Sequence, residues 1–157
     1  MLRPFRLSFV VALLLASIEA PAASTPGVAT MNSPRETRAF ADSVMELVAA
    51  DKITAAFEKL KPHMLMSPAE IDSLVLKTIQ VRSRVADRYG PTTGGYAFVR
   101  EDKVSDFLIR YTYAERRANQ VLRWVFYFYR PRNANAWVVH SLYTDDNMEK
   151  LFLTESF

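Results

Sequence analysis

Apolar positions along the chain follow two periods. From residue 34 to about 89 they recur every three or four residues, and from 96 to 144 they alternate. The first period divides into three helices. Ser33-Pro34-Arg35-Glu36 opens one: serine caps the free amides, proline suits the first helical position, and glutamate three residues on reaches back to the cap. Phe40, Val44, Leu47 and Val48 follow as its apolar stripe. Asp51 is the expected cap of the second helix, with Ile53, Ala56, Phe57 and Leu60 on one face and Pro62 at its end. Ser67-Pro68-Ala69-Glu70 repeats the first start signal. Ile71, Leu74, Val75, Ile79 and Val85 form the third stripe, which Gly90 and Pro91 stop.

Gly90, Gly94 and Gly95 mark the switch between the periods and read as a hinge, since strands and not a helix follow them. The alternation predicts strands at Tyr96–Glu101, Ser105–Glu115, Gln120–Arg130 and Ala136–Thr144. Short polar links between them favour antiparallel hairpins. A four-residue loop at Arg116–Asn119 would place Tyr113 opposite Leu122, Tyr111 opposite Trp124, Ile109 opposite Phe126 and Phe107 opposite Phe128. The two apolar rows then share one face, which is expected to pack on the helices. The fourth strand is ambiguous. A five-residue loop before it turns His140 inward, and a bulge or a changed loop turns Trp137 inward, which is the preferred arrangement. The fold class is therefore α+β: three N-terminal helices packed on a curved four-stranded antiparallel meander.

The segments outside residues 34–146 carry other signals. Residues 1–23 place Arg3 and Arg6 before an apolar run from Leu7 to Ile18 and end in Ala20-Pro21-Ala22, the layout of a cleaved secretory signal peptide. A spanning helix needs about 20 apolar residues, and Glu19 ends this run too early. Residues 24–33 are expected to be a flexible leader, and residues 147–157 a C-terminal tail covering the sheet edge as a short helix or strand. An exported, periplasmic or secreted protein follows, with no membrane span after cleavage. Composition then matters in one respect. The chain has 157 residues and no cysteine. Exported proteins can use disulfides, and this one has to rely on its aromatic core.

The arrangement resembles the NTF2-like (cystatin-like) superfamily, in particular its small exported bacterial members of unassigned role. The matching stretches are helical residues 34–61, the aromatic strand Val121–Tyr129, and Ala136-Trp137-Val138-Val139 running to Tyr143-Thr144-Asp145. The resemblance implies a cone-like domain with the sheet wrapped around the longest helix. The superfamily holds both enzymes and binding modules, so it does not set the function.

Chemistry is sparse. An enzyme of this kind needs a carboxylate or histidine in an apolar pocket, but Glu101, Asp106 and Glu115 are all placed at strand ends. No catalytic residue, metal site or cofactor is expected: the two histidines, His63 and His140, lie far apart and no ligand motif occurs. His63 falls in the break before the third helix and is expected on the surface. Charge is uneven, with 11 basic against five acidic residues between Arg82 and Arg132. Arg110, Arg123, Tyr127 and Tyr129 line the outer sheet face, a combination enriched at protein interfaces. The leading expectation is a non-catalytic exported module that binds a protein partner through this face, an inhibitor or immunity protein being one form of it. Nucleic acid is not an expected partner. The rivals are self-association, and a small hydrophobic ligand or an isomerase-like reaction in a pocket near Tyr111, Trp124 and His140.

Overall fold

The computed structural model describes residues 27–152. The proposed signal peptide and the last five residues lie outside them. The fold is α+β, with one four-stranded antiparallel sheet in the order β1-β2-β3-β4. The elements are α1 (Pro34–Ala49), α2 (Ile53–Leu60), a 3-10 turn (Lys61–His63), α3 (Pro68–Tyr89), β1 (Thr92–Val104), β2 (Leu108–Arg117), β3 (Val121–Tyr129), β4 (Val138–Asp145) and α4 (Glu149–Phe152). Among the described residues no helix is long and apolar enough to cross a membrane.

The helix starts use the serines. Glu36 N donates to Ser33 Oγ over 3.2 Å, and Ser67 with Glu70 forms a reciprocal capping box. Asp51 acts otherwise than expected. The residue before α2 is Lys52, which makes no side-chain cap. Asp51 instead ends α1 at a φ of 58°. Its amide donates to Val48 O and that of Lys52 to Leu47 O, the paired bonds of a Schellman turn, whose left-handed position usually belongs to glycine.

The β2–β3 hairpin is tighter than expected. Arg117 N donates to Gln120 O, leaving only Ala118 and Asn119 in the turn. Glu115 therefore lies opposite Leu122, Tyr113 opposite Trp124, Tyr111 opposite Phe126 and Ile109 opposite Phe128. The register has moved by two, and an even shift preserves the faces. The turn is held by the end of α3: Ala118 N donates to Pro91 O and Asn119 N to Tyr89 O. Gly90 is required here, because its φ is 76° and a Cβ would come within 2.8 Å of Ala118 Cβ. Phe107 is not opposite Phe128. β1 runs on to Val104, Ser105 turns the chain at a φ of 52°, and Phe107 is left 42% exposed in the turn.

A bulge resolves the fourth strand. Val139 lies opposite Phe128 and Ser141 opposite Tyr127, so His140 is the extra residue and stays exposed. Trp137 and Val139 are buried before the bulge; after it, Leu142 and Thr144 lie opposite Phe126 and Trp124, on the core side. The leader is tied to this strand. Met31 is buried and exchanges both backbone hydrogen bonds with Trp137.

The core lies between α1, α2 and the inner sheet face. Val44, Met45, Val48, Phe57 and Leu60 meet Ile109, Tyr111, Tyr113, Trp124, Phe126 and Phe128. α3 is different: of its 22 residues only Ile71 and Arg82 are buried.

Candidate functional site

The register brings Arg110, Arg123, Tyr127 and Tyr129 to one face, and it also brings counter-charges. Asp102 is opposite Arg110 and Asp145 opposite Arg123. Arg110 Nε donates to Asp102 Oδ2 over 3.0 Å, and Arg100 Nε reaches the same oxygen. Arg123 donates to both oxygens of Asp145 and to the Tyr143 hydroxyl. Arg110 and Arg123 are only 8% and 2% exposed. Burial alone would raise the Asp145 carboxyl, but hydrogen bonds from Arg123 and the Asn147 amide, with nearby positive charge, hold it below its usual range. Tyr127 stacks on Tyr143 with ring centres 6.2 Å apart, and Tyr129 leans on His140 at 6.3 Å. Arg100 also donates to the carbonyls of Lys150 and Leu151, drawing α4 to this side. The face thus presents tyrosines beside cations that are already paired.

Tyr111, Trp124 and His140 do not share a pocket. Tyr111 is fully buried under α1, where its hydroxyl donates to Pro34 O and contacts Thr37 Oγ1. Tyr113 donates to Asp42, which also takes Arg38. Burial pushes both phenols upward, so each remains a neutral donor. His140 sits outside on the bulge. His63 is half-buried against Phe40, with Nδ1 facing Ala29 O at 2.9 Å. Burial is the main cause of its lowered pKa.

Two residues outside the expected sites prove central. Glu115 is fully buried on the core face, because β2 continues past it to Arg117. Arg82 Nη1 and Nη2 donate to its two oxygens over 2.9 and 3.0 Å. Arg117 and Trp124 Nε1 add further bonds. Arg82 also reaches Asp51 and Val48 O, so one guanidinium joins α3 to β2 and to the end of α1. An inward Glu115 is visible in its alternation with Tyr111 and Tyr113. An arginine near the apolar stripe of α3 is the corresponding helical signal.

Between Ile71 and Arg82, α3 stands away from the sheet. The cleft beneath it holds about 250 Å³ and is lined by Phe57, Leu74, Val81, Trp124, Leu142 and Thr144. Thr144 Oγ1 is buried with no hydrogen-bond partner among the described residues. Lys77, Thr78 and Tyr143 complete the lining. No carboxylate or histidine lines it among the described residues, and no cluster there could hold a metal. A largely apolar cleft with a few polar side chains at its wall can hold and orient a small molecule. Neither protein-family models, nor curated proteins, nor solved structures give a match to this chain.

Proposed function

We propose that the protein is a non-catalytic binding module that takes a small, largely apolar molecule between α3 and the sheet. The observation that carries this reading is the cleft under α3, with Phe57, Leu74, Val81, Trp124 and Leu142 in its lining and Lys77, Thr78, Tyr143 and Thr144 as its polar members. Leu74, Val81 and Leu142 supply apolar surface, and Lys77, Thr78 and Tyr143 supply polar points of orientation. The expected signal peptide places the module outside the cytoplasm, and helices packed against a single antiparallel meander support an NTF2-like fold. The test is titration with the fluorescent apolar anion 1-anilinonaphthalene-8-sulfonate. The expected outcome is saturable binding at one site, lost in a Thr78→Trp variant that keeps its circular dichroism. Binding that does not saturate, or that survives in Thr78→Trp, would overturn the assignment.

A protein partner at the outer face is the second reading. The stacked Tyr127–Tyr143 pair on the last two strands favours it. Reversing Arg110 or Arg123 would break internal ion pairs, so the informative variant is Tyr127→Ser. Equal recovery of a partner by wild type and Tyr127→Ser would exclude this face.

A further inference from the structure

On the other side of α3 lies a second hollow of about 340 Å³, lined by Asp51, Thr54, Ile79, Arg82, Ser83 and Arg117 among others. We propose that this hollow is a binding site for the oxyanion of a small acid, a carboxylate or a phosphate, and that Asp51 is its built-in competitor.

Three independent features converge there. Arg82 and Arg117 line the hollow although they are only 5% and 4% exposed. Arg117 Nε is held by Gly90 O and Nη1 by Glu115, while its Nη2 has no hydrogen bond to the described residues. Second, α2 begins at this hollow with Ile53 and Thr54, and no side chain caps it. The amides of Ile53 and Thr54, at the positive end of the helix, have no hydrogen-bond acceptor among the described residues. Third, Thr54 and Ser83 add side-chain hydroxyls that make no hydrogen bond to the described residues.

Asp51 shows what this environment selects. Its carboxylate accepts from Arg82 Nη2 over 2.7 Å and Nε over 3.1 Å, yet its side chain remains 64% exposed. It keeps this position at a left-handed φ of 58°, where a side chain is strained. An incoming oxyanion takes over the Arg82 donors, gains Arg117 Nη2 and the α2 amides, and releases Asp51 to water. Guanidinium forks suit carboxylate and phosphate geometry alike.

The experiment follows the Nε–Hε resonances of Arg82 and Arg117 in the ¹⁵N-labelled protein. Sodium acetate and sodium phosphate are titrated separately at constant ionic strength, with sodium chloride as the control. Saturable shifts of both arginines with either oxyanion are expected, and the arm that saturates identifies the ligand chemistry. Asp51→Asn keeps a side chain that tolerates the left-handed turn and should tighten binding about fivefold, the equivalent of one exposed ion pair. Arg117→Gln should abolish the shift at Arg82, while Thr78→Trp, which plugs the apolar cleft, should leave it unchanged. The inference is overturned if chloride produces the same shifts, if neither oxyanion saturates, or if Asp51→Asn binds no more tightly than wild type.

Discussion

A carboxylate with no exposed surface has to be neutralised where it sits, and Glu115 has two guanidinium partners and an indole donor. Arg82, Arg117 and Trp124 each donate to it. Removing Arg82 takes away its two-pronged partner and leaves only the Arg117 and Trp124 donors, so Arg82→Ala should cost about 3–5 kcal/mol in urea unfolding. The double variant Arg82→Met with Glu115→Leu should cost less than the sum of its single changes, because it removes both charges together. Additive losses would show that the pair is not coupled. Glu115 is legible in the sequence as far as its direction, since it alternates with Tyr111 and Tyr113. Its partners are not, because Arg82 lies 33 positions away and nothing local records which helix residue will meet it.

His63 gives the residue scale a pH dependence. Its folded pKa is lowered, first by burial against Phe40, partly opposed by the Ala29 carbonyl, and further lowered by Lys59. The unfolded histidine therefore takes up its proton at higher pH than the folded one. The stability of the neutral form is complete above the unfolded value of about 6.5 and is lost as the pH falls from there through the lower folded pKa. Unfolding free energies at pH 8 and pH 5.5 should differ in the wild type, and His63→Asn should reduce the difference. An unchanged difference would place the pH dependence elsewhere.

The elements divide by how they are held. α1 and α2 bury apolar stripes against the sheet, whereas α3 buries only Ile71 and Arg82, packs Leu74, Val75 and Val85 half-buried on the core, and has a hollow on either side. Few buried contacts mean low local stability. Amides between residues 72 and 81 should exchange with deuterium sooner than those of β2 and β3; equal protection would show that α3 is as firmly seated as the sheet. The start of α3 is legible from Ser67 and Glu70, since a capping box is local. Its loose seating is not, because periodicity shows which face is apolar and cannot show how closely that face is approached. The same distinction applies to the strands. Alternation sets the inward rows of β2 and β3, while the turn that shifted their register by two depends on contacts with Tyr89 and Pro91, on another element. In β4 the alternation offers two faces, and the bulge at His140 uses one before it and the other after it.

For the molecule as a whole, the absence of cysteine places stability on the aromatic core. Edge contacts such as Tyr111 with Phe128 and Tyr113 with Phe126, both near 5.5 Å, supply specific packing there. The export proposal makes a separate prediction: N-terminal sequencing of the protein from the secreting cell should begin at Ala23 or Ser24, after the small residues that favour cleavage. A mature product beginning at Met1 would remove the basis for a signal peptide.

What the sequence by itself determined is local and periodic: the serine-led starts of α1 and α3, the change from helical to strand period at the glycines, the α+β class and the inward aromatic rows. These depend on neighbours a few positions away, so the pattern carries them. Only the tertiary structure decided which charges meet. The outer-face arginines became buried ion pairs because antiparallel pairing set Asp102 and Asp145 opposite them. Asp51 became a partner of Arg82 instead of a helix cap. Both outcomes follow from the long reach of charge and from the high cost of burying it alone. A guanidinium taken out of water finds its carboxylate through the fold, wherever along the chain that carboxylate lies.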